Sequence, residues 1–238
     1  YREKANSFLS FLITFATRSS FMKNTTAVSG NTLFRGLTKQ DTVLALQLFD
    51  STKKEYRRGE ILFCAGQPVR RFGLVICGKV CVESTDIDGR SVLMANVTPG
   101  NTFAESLCFL GTDESPVTAK AAENTEILWL SAQALFAADA RDDFAREMQK
   151  RFCAMLAART LSMNDRIQVL SRTTIRERVL TLLSQYNTGS GSGIPLPFDR
   201  ESLALYIGVN RSALSRELSA MKRDGIIDFY KNSFRLLR

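Results

Sequence analysis

The sequence predicts an α+β chain with a strand-rich first part and a helical second part that closes in a helix–turn–helix and a β-hairpin. Three observations carry this. Short runs rich in Val, Ile, Leu and Phe, separated by glycine turns, fill Glu55 to Leu130. After Trp129 the apolar residues recur mostly at three- and four-residue steps, the period of an amphipathic helix. Near the C-terminus Ala204, Gly208 and Leu214 stand at the spacing A-x3-G-x5-L. That spacing describes two short helices crossing over a tight turn, with a small residue at the crossing, a glycine at φ > 0 and an apolar anchor.

Composition bounds the rest. With 238 residues, 45% of them hydrophobic and 24% charged, the chain has length for one or two domains with their own cores. The net charge of +8 suits a polyanionic partner, and most of the excess falls after residue 170, which favours nucleic acid over membrane. Cys64, Cys77, Cys81, Cys108 and Cys153 form no C-x-x-C pair, and an odd number without a framework points to a reducing cytoplasm. The sequence contains no histidine. That excludes histidine-based catalysis and removes the commonest haem and zinc ligand. No P-loop, Rossmann fingerprint or nucleophile elbow is present, so no enzyme and no catalytic or metal site is expected.

Taken in order, residues 1–37 are read as an N-terminal extension. Its first 21 residues carry an apolar run from Phe8 to Ala16 that is too short to span a bilayer and lacks a cleavage site, whereas Met22-Lys23-Asn24 resembles a natural start. Thr38 to Phe49 predicts a short helix. Strands are expected at Glu60–Cys64, Phe72–Cys77, Lys79–Glu83, Val92–Val97 and Glu126–Leu130, with turns at Arg58-Gly59, Ala65-Gly66, Cys77-Gly78, Asp88-Gly89 and Pro99-Gly100. Strands of this length and spacing argue for a β-barrel or sandwich. A short helix follows at Ser131–Ala138, and a long one runs from Asp142 to about Val169. Ser171–Thr174 is the expected hinge, Ile175–Tyr186 a further helix, and Asn187–Gly193 a Gly/Ser surface loop. Asp199 and Asn210 are suited to cap the two helices of the helix–turn–helix, and Gly225 to end the second. Ile226–Tyr230 and Phe234–Leu237, joined across Lys231-Asn232-Ser233, complete a winged helix-turn-helix.

The roll region resembles a known family. Arg58-Gly59-Glu60-Ile61-Leu62, Gly66, Ile76-Cys77-Gly78-Lys79-Val80, Asp88-Gly89-Arg90 and Pro99-Gly100-Asn101-Thr102-Phe103-Ala104-Glu105-Ser106 are similar to the cyclic-nucleotide-binding β-roll of the CRP/FNR family of bacterial transcription regulators. With the helix-turn-helix, the resemblance covers about residues 38 to 238. It implies a double-stranded, jelly-roll-like β-roll over 38–140, a dimerisation helix over 141–170 and a DNA-binding winged helix over 171–238. It further implies a homodimer on a palindromic DNA operator, with RNA polymerase as a further partner. Phe144, Met148, Phe152, Met155, Met163 and Ile167 are the expected dimer contacts.

The effector positions depart from the family pattern. Its cyclic-nucleotide binders carry F-G-E-L and R-S/T-A, where this chain has Phe103-Ala104-Glu105-Ser106 and Pro116-Val117-Thr118-Ala119. Glu105 and Thr118 match, Ala104 replaces the glycine, and Val117 stands where the phosphate-binding arginine is expected. Glu105, Ser106, Val117 and Thr118 are therefore the expected contacts of an unknown effector other than cyclic AMP or cyclic GMP. Lys120 falls on the opposite strand face from Ala119. The family's iron–sulfur sensors hold cysteines near the N-terminus, yet no cysteine precedes Cys64, and its haem sensors use histidine. No cofactor is expected. Cys77 and Cys81 read as core residues, or as a redox pair if their Cα atoms approach within about 7 Å.

The second helix of the helix–turn–helix turns Arg211, Ser212, Ser215 and Arg216 outward, which suits the major groove of DNA. By resemblance, Arg216 reads a guanine, Arg211 a base or phosphate, and Ser212 replaces a glutamate that accepts from a cytosine amino group. A serine hydroxyl either donates or accepts, so lower selectivity is expected there. Asn210 caps this helix, and Lys231 with Asn232 at the wing tip faces the DNA backbone. The alternative reading is a ligand-sensing module whose helix–turn–helix contacts protein.

Overall fold

The structure, a computed structural model, describes residues 27–85, 91–139, 141–187, 189 and 193–237. Segment 1–21, the turn at Asp88-Gly89-Arg90 and most of the Gly/Ser loop lie outside the described residues. The chain divides into two compact units between Leu156 and Ala157, inside the long helix. Each is described by itself.

In the first unit, helix α1 (Lys39–Leu48) starts at Thr38, whose side chain accepts from the Asp41 amide at 3.1 Å. Strands β1 (Thr52–Tyr56), β2 (Ile61–Phe63), β3 (Phe72–Cys77), β4 (Val80–Thr85), β5 (Ser91–Val97), β6 (Thr102–Phe103), β7 (Thr118–Ala121) and β8 (Thr125–Leu130) follow. They form two antiparallel four-stranded sheets, ordered β1-β8-β3-β6 and β2-β7-β4-β5. Strands β3 and β8 pair from Phe72 opposite Leu130 to Cys77 opposite Glu126, so both are central.

Central position explains the unbroken apolar runs. Phe72, Leu74 and Ile76 of β3 face a core shared with helices, while Val75 faces the core between the sheets. A strand covered on both sides needs apolar residues at every position. Gly73 lies where Phe103 crosses: a Cβ there would sit 2.3 Å from the ring. The outer core is closed by Phe49 after α1, by α3 (Ala132–Phe136) and by the first half of α4 (Asp143–Leu170). Phe152 of α4 stands 5.5 Å from Phe72 and 6.2 Å from Phe49.

The second unit contains the end of α4, α5 (Ile175–Tyr186), β9 (Ile194–Pro195), α6 (Arg200–Tyr206), α7 (Arg211–Arg223), β10 (Ile227–Tyr230) and β11 (Ser233–Leu236). The hairpin β10–β11 takes β9 as a third strand, with Phe234 opposite Ile194. Val169, Leu182, Leu203, Leu214, Leu218 and Phe234 are buried in one core. The expected hinge is a hydrogen-bonded corner inside this unit. Thr174 and Glu177 form a reciprocal capping box at the start of α5, and the Arg178 Nε donates to the Arg172 carbonyl at 2.9 Å.

Candidate nucleic-acid interface and effector region

The helix–turn–helix is built from its caps. Asp199 accepts from the Ser202 amide at 2.7 Å and starts α6; Asn210 accepts from the Ala213 amide at 2.7 Å and starts α7. Between them Gly208 has φ +69°, and a Cβ on it would stand 3.0 Å from Leu170. A side chain is therefore opposed by both conformation and space. Leu214, Leu218 and Met221 anchor α7 in the core, which leaves Arg211, Ser212, Ser215, Arg216, Ser219 and Arg223 exposed along one side.

The unit's charges divide into two sets. Arg166 and Arg178 donate to the carbonyls that end α6: Nε of Arg166 to Tyr206 at 3.1 Å, its Nη2 to Leu205 at 3.2 Å, and Nη1 of Arg178 to Ile207 at 3.0 Å. Helix ends leave carbonyls short of amide donors, though that of Leu205 also accepts from the Gly208 amide at 3.2 Å, and cations there complement the helix dipole. Arg176 binds Glu217 and Asp224, each at 2.7 Å, holding the back of α7 to α5; Glu217 first, then Asp224, raises its pKa. Arg200 donates to the Lys231 carbonyl at 3.0 Å and lies over Phe229 and Phe234 at 4.8 and 5.2 Å, bracing the wing. Lys222 pairs with Asp228 at 2.6 Å. By contrast, the guanidinium groups of Arg211 and Arg216 have no ion-pair partner among the described residues.

At the wing tip Lys231 adopts φ +52° and is exposed, with its ammonium 5.6 Å from the Tyr230 ring. The sequence reading missed Ser219 and Arg223, which extend the exposed side of α7. Their signal was the same three- and four-residue step that placed Ser212 and Arg216.

In the roll, Ala104 takes the left-handed conformation (φ +65°) ahead of α2 (Glu105–Leu110). Glu105 is buried and accepts from the Thr102 hydroxyl, which also stands 3.8 Å from the Met155 sulfur. Ser106 is exposed. Val117 packs against the core between the sheets, and the Thr118 hydroxyl accepts from the Ala65 amide at 3.0 Å. Lys120 is committed to Glu83 at 2.7 Å. These residues do not fit a cyclic phosphate, because Val117 brings no charge and Lys120 already has a partner.

The expected dimer contacts divide. Met148, Phe152 and Met155 are buried in the first unit's own core with Phe144 packed against it, whereas Met163 and Ile167 are 62% and 59% exposed. The stripe over 144–155 is thus internal packing, a correction to the sequence reading. Cys77 is exposed and Cys81 buried, and all five cysteines are free thiols. Burial, then the hydrogen bond to Glu83, pushes the Cys81 pKa up to about 11. Among the described residues no cluster of three or more His, Cys, Asp or Glu is placed to hold a metal ion, and no helix is long and apolar enough to cross a membrane.

A two-sheet roll and a winged helix with an exposed arginine–serine side, carried on one chain, define an effector-gated, DNA-binding regulator. A family model for the cyclic nucleotide-binding domain matches residues 53–142, and one for a Crp-like helix-turn-helix domain matches residues 177–238. The cyclic AMP receptor protein of Thermus thermophilus is 30% identical over 210 residues, 84% of this chain and 89% of that protein. The CRP-like cAMP-activated global transcriptional regulator of Mycobacterium tuberculosis is 27% identical, over 73% of this chain and 78% of that protein. The structure of FixK2 from Bradyrhizobium japonicum shares the fold at TM-score 0.52 and 24% identity, covering 79% of this chain and 93% of that one. The chain belongs to the CRP/FNR family of transcription regulators.

Proposed function

We propose that the chain acts in the cytoplasm as a homodimer that reads a palindromic operator through α7 of each copy. The carrying observation is the contrast in unit two: Arg166, Arg176, Arg178, Arg200 and Lys222 are engaged in holding the fold, while Arg211 and Arg216 stand exposed beside Ser212 and Ser215. Arg216 reads a guanine through its O6 and N7 edge, Arg211 a base or phosphate, and Lys231 the DNA backbone. Asn210 sets the start of the reading helix. RNA polymerase is the further protein partner.

Pairing uses the exposed side of α4. Met163 and Ile167, four residues apart on one side of the helix, are 62% and 59% exposed, and a second α4 gives them apolar cover. The roll senses an effector other than cyclic AMP through Glu105, Ser106, Val117 and Thr118, and occupancy shifts the population of DNA-competent dimers. Replacing Met163 and Ile167 together with Asp tests the pairing. Sedimentation velocity should show monomers with weakened operator binding and an unchanged circular dichroism spectrum; an intact dimer contradicts the proposed face.

A further inference from the structure

We infer that Ser212 reads a base through its exocyclic amino group, adenine N6 or cytosine N4, because its hydroxyl faces the groove only as an acceptor. This rests on α7 entering the major groove as proposed above. Asn210 Oδ1 accepts from the Ala213 amide at 2.7 Å, which fixes the oxygen end of its carboxamide toward the helix. The same oxygen lies 3.0 Å from Ser212 Oγ. An amide oxygen carries no hydrogen, so the serine must donate. A hydroxyl has one hydrogen to give, and what remains is lone pairs.

Ser212 is exposed in the first turn of α7, where recognition helices meet base edges. In the major groove the donors are adenine N6 and cytosine N4; guanine and thymine offer oxygen and nitrogen acceptors that a lone pair repels. The neighbouring serines follow the same rule. Ser215 Oγ donates to the Arg211 carbonyl and Ser219 Oγ to the Ser215 carbonyl, each at 2.9 Å. Along this side of α7 the arginines supply the donors and the serines the acceptors. Ser215 accordingly has no hydrogen left for a phosphate oxygen, and Ser212 is more selective than a free hydroxyl.

The test uses the full chain and its selected operator. At each base pair the major-groove amino group is deleted in turn, purine replacing adenine or 2-pyrimidinone replacing cytosine, and affinity is measured for the natural chain and for Ser212→Ala. At one pair in each half-site the natural chain should lose about three- to tenfold on deletion, the worth of one hydrogen bond, while Ser212→Ala is indifferent. Asn210→Asp keeps an acceptor for the serine and should keep the selectivity for an amino group; Asn210→Ala frees the hydroxyl to donate as well, so bases that offer only acceptors at that pair should become tolerated. The inference is overturned if the natural chain and Ser212→Ala respond alike at every pair while Arg216→Ala still abolishes a guanine preference. A chain that selects no operator at all overturns the DNA reading, and this inference with it.

Discussion

Arg166, four residues before the end of the long helix, donates its Nε to the carbonyl of Tyr206 at 3.1 Å and lays its guanidinium 5.5 Å from the same residue's ring. The last turns of α4 are thereby fastened to the turn that precedes α7. Leu170 and Arg178 approach the same turn, at Gly208 and Ile207. Ser171–Thr174, the hinge expected from the sequence, lies inside this fastened corner.

Arg166→Ala should therefore weaken the second unit and spare the first. Loss of two charge-assisted bonds from a half-buried donor is worth about 1–3 kcal/mol. The sole tryptophan, Trp129, lies in β8 of the roll and reports the first unit. In urea, the circular dichroism transition should move to lower concentration while the tryptophan fluorescence transition stays in place. The salt dependence of DNA binding should keep its slope, because Arg166 neutralises no phosphate.

Arg216→Ala should abolish discrimination at one guanine per half-site, about 1–3 kcal/mol, and leave salt-sensitive nonspecific binding. Competition mobility shifts against single-base operator variants measure it. Full retention of operator preference would contradict the placement of α7 in the groove.

Ala104→Gly should stabilise the roll by about 0.5–1 kcal/mol, because the left-handed backbone strains an L-residue and not glycine. Tryptophan-monitored urea unfolding is the measurement. A destabilised variant would mean that the alanine methyl contributes more by packing than its backbone costs.

Cyclic AMP should bind the full chain more weakly than about 1 mM, since a buried phosphate facing Val117 has no counter-charge and loses several kcal/mol. Isothermal titration tests this directly. Saturable binding in the low micromolar range would show that another cation serves the phosphate.

Thiol chemistry should separate the cysteines. The Cys81 pKa is pushed up from the usual 9.0 to about 11, and burial also raises that of Cys108, so both remain thiols where an open cysteine ionises. At pH 9 exposed Cys77 should be alkylated by iodoacetamide, with Cys81 and Cys108 protected until the roll unfolds; mass spectrometry of the peptides reads the order. Because the folded pKa of Cys81 exceeds its unfolded value, its contribution to stability is intact below pH 9 and fades as pH rises toward 11.

What the sequence made legible was what local chemistry specifies. Asp199, Gly208 and Asn210 declare two caps and a turn without reference to anything distant, and all three are found in those roles. The central strands are equally plain, because burial on both faces leaves apolar residues at every position. Strand β1 was missed because TKKEY is polar and becomes a strand only by pairing with β8, from Thr52 opposite Trp129 to Tyr56 opposite Thr125. Ile194-Pro195 likewise depends on β11. Helix α2 was missed because its cap is a left-handed alanine with no capping side chain. For Met148, Phe152 and Met155, periodicity identified an apolar side of α4 and could not say what covers it. The acceptor character of Ser212 was beyond the sequence as well, because it depends on which way the Asn210 carboxamide faces.

Selection of bound DNA from a random duplex pool tests the central claim most directly. It is run with the purified chain alone and again with the small-molecule fraction of a cell extract. The account predicts enrichment, in at least one arm, of a two-fold palindrome whose half-sites stand about one helical turn apart and share a guanine that Arg216→Ala ceases to require. No enrichment in either arm would contradict it and leave the helix–turn–helix as a protein-contact module.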